Sequence, residues 1–413
     1  MMIYCMDFSQ INQIQILPFD TSCRKDKYLL YHRNQYYEVN AMLAEFVGAL
    51  QRHNSIAGVS SYFSEKYGKS YSDDDITAII NKFIGPIIKA GDDAETKKAS
   101  KSKTFIFKIG LVPPEAVKSI ASKFSFLFRP RFASLLLFLI LISEILFFTS
   151  DLGIIHSLSG TSAYVIGGVI GLFVLCSLFH ETGHAAACRY FGIENGGIGF
   201  GLYISFPVFY TDVTNVWQLN RKQRIIVNIG GVYFQLIFLL PIFLIYFLTG
   251  NNIAKLFIYT INLNFLFTLN PFFKFDGYWI MSDLVGVPNL RNRSMEYFTY
   301  LFKRIRGREN PRKPFLLSIK PAERCFMIVY SLVVNVFFLY FFAYGMPLVV
   351  YNFFKVFPDN AARIVGSFTA GTWPGTSLIV SSIFQLVMFG FIALFVYKMV
   401  LKLVARIQVR NGR

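Results

Sequence analysis

SAYVIGGVIGLFVLCSLFHETGHAAACRYF, residues Ser162–Phe191, is an apolar stretch of membrane-spanning length with His180, Glu181 and His184 set inside it. A helix of this length outreaches the roughly 30 Å hydrocarbon core of a bilayer. His180 and His184 stand at i and i+4 and project from one helical face, with Glu181 directly after the first of them. That spacing lets two imidazoles grip one zinc ion while a carboxylate stands beside it. Ionisable side chains facing lipid are expensive, so three together point to chemistry rather than coincidence.

Working outward, long apolar runs recur along the chain. Of its 413 residues 54% are hydrophobic, and further long apolar runs occupy Phe132–Thr149, Ile225–Leu248, Ile253–Leu269, Cys325–Phe354 and Ser377–Leu403. Six spans are therefore predicted, the fourth continuing beyond a break at Asn270-Pro271. Internal Pro and Gly fit helices supported by neighbours or lining a cavity. The expected fold is mainly α, a polytopic membrane protein of about six transmembrane helices with a small N-terminal α+β domain.

The charge balance, 41 basic against 24 acidic residues, sums to +17, and its distribution carries the information. Lys and Arg crowd the first 131 residues, the Arg221/Lys222/Arg224 loop, the Arg291–Arg324 loop and the tail Lys398–Arg413. The connections Ser150–Thr161 and Gly250–Asn252 hold none. By the positive-inside rule both termini are cytoplasmic. Topology accounts for the basic excess, so a nucleic-acid partner is not expected. Cys5, Cys23, Cys176, Cys188 and Cys325 show no paired spacing, which argues against a disulfide framework or a cysteine zinc site. Cys188, one helical turn after His184, either approaches a metal or packs as a buried thiol. Polar residues stand where a signal peptide would be apolar, so no cleaved presequence is expected.

Before the first span, residues 1–93 read as a soluble domain. Tyr28–Asn40 alternates around a turn at Arg33-Asn34, as a β-hairpin does. Asn40 caps a helix over Ala41–Gln51, a second follows at Ile56–Tyr67, and Ser72–Asp75 caps a third at Ile76–Ile88. Residues 94–131 form a connecting region. Gly91–Lys103 has linker composition, Thr104–Leu111 alternates as a short strand, and Pro113-Pro114 opens an amphipathic stretch, Glu115–Phe128. That stretch is expected on the cytoplasmic membrane surface, with packing on the soluble domain as the alternative. The membrane domain then covers 132–413, with its core at 162–290.

Zinc catalysis needs a third protein ligand and one open coordination position. Asp276, in Leu269-Asn-Pro-Phe-Phe-Lys-Phe-Asp276-Gly277, sits where the fourth span breaks, on the same cytoplasmic side as the end of the second. It is either that ligand or an interfacial helix cap. His32 and His53 lie in the soluble domain and His156 in a loop on the far side, so none competes well. Gly196–Pro207, rich in glycine but lacking a P-loop lysine, is expected to form a flexible hairpin or edge strand at the mouth of the site. There Gly197 and Gly199 would let a peptide add as a strand, a plain loop being the alternative. Asp212 and Asp283 are read as surface caps, and Glu144 in the first span as solvated near the interface.

An H-E-x-x-H helix followed by a proline-containing segment ending in Asp-Gly resembles the site-2 protease family of intramembrane zinc metalloproteases. The resemblance covers Gly167–Leu290. It implies one Zn²⁺ per chain, held by His180, His184 and Asp276, with Glu181 as the catalytic glutamate. Gly231–Gln235 stands where the family often has Gly-x-x-x-Asn, so Gln235 replaces a polar transition-state contact. Thr268 replaces a usual asparagine, with Asn270 as its candidate substitute. The segments FPVFYTDV (Phe206–Val213) and FDGYWIMSDLVGVPN (Phe275–Asn289) are closest to a bacterial branch found with peptide-maturation and secretion systems. Hairpin plus three helices, with YEVN…AEFVGAL, resembles the PqqD-like winged-helix domains that grip leader peptides.

The resemblances imply a zinc metalloendopeptidase of the bacterial cytoplasmic (inner) membrane. Expected partners are a leader-bearing or membrane-protein substrate, an exporter complex and membrane lipid. A non-proteolytic export subunit and a protease releasing a membrane-tethered factor are the competing functions.

Overall fold

The computed structural model describes residues 8–88, 105–150, 163–203, 206–307 and 314–411. The expected linker at 91–103 and the loop holding His156 lie outside these, as does Cys5. The chain divides into two compact units, one of Met1–Ser102, Thr214–Ile226 and Trp279–Val329, the other of Lys103–Val213, Val227–Tyr278 and Tyr330–Arg413. The expected 1–93 domain thus shares its unit with two later segments, and from Lys103 onward the 94–131 region falls in the same unit as the first spans.

The first unit begins with a short helix α1 (Phe8–Asn12), then strands β1 (Gln15–Phe19), β2 (Lys27–His32) and β3 (Gln35–Asn40), paired antiparallel in that order. Arg33 and Asn34 turn the hairpin with φ of 46° and 63°, the left-handed pair that matches strand twist. Asn40 Oδ1 accepts from the Leu43 N–H at 2.8 Å and starts α2 (Ala41–His53). Ser55 caps α3 (Ile56–Tyr67), and Ser72 with Asp75 forms a reciprocal capping box on α4 (Asp73–Ile79), which continues as a π turn, Ile80–Ile84. Leu30, Val47, Leu50, Val59, Ile76, Ile80 and Ile84 fill the core.

A buried arginine fixes the later segments in this unit. Arg224 Nε donates to Asp283 Oδ1 at 2.6 Å, Nη1 to the Leu219 carbonyl at 2.9 Å and Nη2 to the Asp20 carbonyl at 3.0 Å. Phe19 and Trp217 flank the guanidinium at 5.3 and 5.7 Å from their ring centroids. Asp283 is therefore a buried ion-pair partner and not a surface cap, because a desolvated guanidinium needs a full set of acceptors. Arg224→Ala removes the charge partner of buried Asp283 and should destabilise the protein by about 3–5 kcal/mol. Thermal unfolding of the detergent-solubilised chain would read this, and an unchanged Tm would contradict it.

In the second unit β4 (Phe105–Val112) leads into α5 (Pro114–Phe124), a 3₁₀ turn, and α6 (Pro130–Ser150). Then come α7 (Ala163–Tyr190), β5 (Ile198–Tyr203), β6 (Phe206–Thr211), α8 (Arg221–Thr249) and α9 (Asn252–Thr268). After the break the helices are α10 (Asp276–Val285), α11 (Leu290–Ile305), α12 (Pro321–Tyr340), α13 (Met346–Thr369) and α14 (Thr376–Asn411). α8, α10 and α12 run from one unit into the other, and α11 belongs to the first. The chain is a mainly α polytopic membrane protein with a small N-terminal α+β portion.

Among the described residues five helices, one fewer than expected, are long and apolar enough to cross a membrane. α9 has 17 residues, about 25 Å of helix against a core of about 30 Å. The fifth expected span continues without interruption from Pro321 to Thr369, because Phe341–Gly345 is accommodated as a π turn between α12 and α13. Within the first span, Glu144 is not solvated at an interface as expected. Its Oε2 accepts from Asn262 Nδ2 of α9 at 3.2 Å, which answers the cost of a carboxyl among apolar helices.

α7 and α8 approach at backbone distance. A Cβ built on Gly183 would strike the Gly230 carbonyl oxygen, and one on Gly230 would lie 2.8 Å from the Gly183 carbonyl oxygen. Small residues allow this in membranes, where close packing rather than water exclusion joins helices. α5 buries Val117 and Ala121 against Ala185 and Ala186 of α7 and Phe234 of α8. The expected membrane-surface helix thus packs on the helix bearing the histidines, leaving Ile120 and its lysines outward.

β4, β5 and β6 form an antiparallel sheet with β5 in the centre. The glycine-rich segment is a hairpin strand but not an edge, because β4, from far upstream, covers its other side.

Candidate metal centre

The site is built from one helix turn and one chain break. Helical periodicity brings the Nε2 atoms of His180 and His184 to 3.2 Å from one another, with their rings crossed at 79°. The break supplies the third group. Pro271 has no N–H to continue α9, and Asn270 Oδ1 accepts from the Phe272 N–H at 2.8 Å to close the turn. Phe272 stacks on Phe337, 4.4 Å between centroids, and the Tyr330 hydroxyl donates to the Pro271 carbonyl at 2.9 Å. A Cβ on Gly277 would strike the Leu269 carbonyl oxygen, so only glycine lets the chain fold back this tightly. Asp276 begins α10 at this point.

Asp276 Oδ2 lies 3.0 Å from His180 Nε2 and 3.3 Å from His184 Nε2. Bonds of 2.0–2.1 Å at the tetrahedral angle require donor atoms about 3.3 Å apart. The triangle therefore has the size of one face of a zinc coordination shell. Among the described residues these three are the one His/Cys/Asp/Glu group that could hold a metal ion.

Hydrogen bonding behind the rings supports the same fit. His184 Nδ1 lies 2.8 Å from the Val227 carbonyl, which can only accept, so Nδ1 carries the proton. His180 Nδ1 lies 3.2 Å from Gln235 Oε1, while Gln235 Nε2 donates to the Ile261 carbonyl at 3.2 Å. With Nδ1 engaged from behind, each imidazole turns its Nε2 toward Asp276 Oδ2, which is buried and accepts no hydrogen bond. Three lone-pair donors converging on one point suit a cation. A Cβ on Gly231 would meet both Nε2 atoms, so glycine keeps that side of the triangle open.

Glu181 is 7% exposed, and its Oε2 accepts from Thr211 Oγ1 at 2.8 Å. The same hydroxyl lies 2.9 Å from the Glu181 carbonyl oxygen. Thr211 was not singled out in the sequence. It lies 30 residues from Glu181, and only the pairing of β6 beside β5 brings it there.

The remaining expected residues fall elsewhere. Gln235 is 1% exposed and uses both ends of its amide, so it is a support behind His180 and not a surface for a transition state. Asn270 spends its side-chain oxygen on the turn. Gly197 packs against the Val112 carbonyl and Pro114, and Gly199 lies between Ile109 and the ring of Tyr210. Gly199 sits in the central strand and Gly197 just before it, both flanked by neighbouring chain, so neither offers an edge to a peptide. Tyr210, whose phenol burial holds above its ordinary pKa, carries Lys108 Nζ 4.6 Å from its ring centroid. His32 and His53 belong to the first unit. Cys188 is fully buried and outside the donor group.

No family model matches the chain. It is 27% identical over 115 residues to a protein of Bacillus subtilis (strain 168) named "Putative peptide zinc metalloprotease protein YydH". The matched stretch is 27% of this chain and spans 46%, about half, of that relative. No solved structure matches.

Proposed function

We propose that the chain is a zinc-dependent intramembrane endopeptidase of the site-2 protease type. The observation that carries this reading is the 3.0–3.3 Å triangle of His180, His184 and Asp276 with Glu181 on the same helix. The relative's name, a peptide zinc metalloprotease, supports it. When bound, zinc polarises a scissile carbonyl and lowers the pKa of a coordinated water toward about 7.

The chain's own groups supply the rest. Glu181 takes the water proton and returns it to the leaving amine. Thr211 holds the carboxylate by its Oε2. Gln235 and the Val227 carbonyl hold the two rings so that Nε2 faces the metal. The apolar wall of α7 and α8 restricts water around the bond to be cleaved.

The substrate is a leader-bearing or membrane-associated peptide, cleaved during maturation or export at the bacterial cytoplasmic membrane. The N-terminal domain, PqqD-like in its hairpin and three helices, recruits that peptide and raises its concentration near the zinc. An exporter is the natural receiving partner.

Metal analysis joined to a cleavage assay on the purified chain tests the reading. One zinc per chain with cleavage of a membrane-anchored peptide supports it. Zinc without cleavage would favour a binding subunit. Gln235→Leu should weaken zinc binding about 10–100-fold, read by chelator competition. An unchanged Kd would remove the orienting role of Gln235.

A further inference from the structure

α11 (Leu290–Ile305) buries little of its surface: in it only Leu290 and Ser294 are fully covered. Met295, Phe302 and Ile305 are 52, 55 and 83% exposed. Their spacing, i, i+7 and i+10, aligns them along one face. Single exposed apolar residues are ordinary, but an aligned row ending in an almost fully bare isoleucine is not. The helix and its cap hold Arg291, Arg293, Lys303, Arg304 and Arg306 against one carboxylate, Glu296. The Arg306 guanidinium lies 4.1 Å from the centroid of the Phe302 ring, at the border between the apolar row and the cations. Cations in a last turn also complement the helix dipole, but that requires no apolar row beside them.

The opposite face shows where the helix is tied. The Phe315 N–H donates to Glu296 Oε2 at 3.4 Å, and Arg293 lies 4.4 Å from the Phe315 ring centroid. Phe315 precedes by six positions Pro321, where a membrane-spanning helix begins. α11 is thereby tied beside the point at which the chain enters the bilayer.

We infer that α11 is an interfacial helix that seats Met295, Phe302 and Ile305 in the acyl boundary while Lys303, Arg304 and Arg306 bind anionic lipid headgroups. A basic amphipathic helix gains both from buried apolar area and from the negative potential of a cytoplasmic leaflet. Its anchoring also bears on the site above, since only Gly286–Asn289 separates it from α10, which Asp276 begins.

The test uses the full chain in phosphatidylcholine bilayers with and without phosphatidylglycerol. Ile305→Trp adds an indole at the most exposed position, and the unsubstituted chain gives the background. Phosphatidylglycerol with brominated acyl chains is expected to cut the added emission at least about twofold, with no response to aqueous acrylamide. Lys303→Glu, Arg304→Glu and Arg306→Glu together should lower co-purifying phosphatidylglycerol about tenfold or more. Quenching by acrylamide would put the face in water, and shielding from both quenchers would mean that protein covers it, a second copy included. Either result overturns the inference, as does unchanged phosphatidylglycerol after charge reversal. None of these readouts depends on zinc or cleavage.

Discussion

Glu181→Gln protein is expected to carry its full complement of zinc and to hydrolyse peptide roughly 10²–10⁴-fold more slowly. The substitution preserves volume in a site where Glu181 is 7% exposed. The amide oxygen can still accept from Thr211 Oγ1, which lies 2.8 Å from Oε2. What the amide cannot do is take a proton from water at neutral pH. The metal should be unaffected, because the donor triangle consists of His180, His184 and Asp276 without Glu181. Inductively coupled plasma analysis and a turnover assay on one preparation separate the two functions. Equal turnover in metal-loaded mutant and parent would remove the proton-transfer role, and lost zinc would make Glu181 a ligand instead.

Gly231→Ala should empty the site while leaving the helices in place. A Cβ there meets His180 Nε2 and His184 Nε2 together, closer than any packed carbon tolerates. Both rings are fixed from behind, His184 by the Val227 carbonyl at 2.8 Å and His180 by Gln235 at 3.2 Å. Neither can swing aside without losing its support. Zinc content is expected to fall below about one-tenth of the parent's, because tetrahedral binding tolerates little displacement of its donors. Gly171→Ala is the control, since a Cβ on Gly171 meets nothing within 4 Å. Full zinc occupancy in Gly231→Ala would mean that the ligand atoms lie elsewhere.

The parts of this protein legible in the sequence are those encoded locally. Helical periodicity sets His180 beside His184, and Asn40 and Ser72 mark the helix starts they cap in the structure. The Arg33-Asn34 turn comes from residues that tolerate a positive φ. The break at Pro271 comes from the missing N–H. What stayed illegible depends on contacts between distant segments. Gln235 looked like a group for the substrate, yet the carbonyl of Ile261, on another helix, holds its amide behind His180. Thr211 reaches Glu181 only through sheet pairing. β5 became a central strand because β4 arrived from before two membrane helices. No spacing rule within one segment reports such meetings.

The polar link between α6 and α9 has a consequence for how the chain is made. Asn262 is translated 118 residues after Glu144. At roughly 5–20 residues per second the ribosome takes on the order of ten seconds to supply that amide. During this interval α6 is a nascent segment carrying an unmatched acid, a costly passenger for hydrocarbon. Its lateral release from the translocon is therefore best delayed until α9 arrives, so that the two helices leave as a pair.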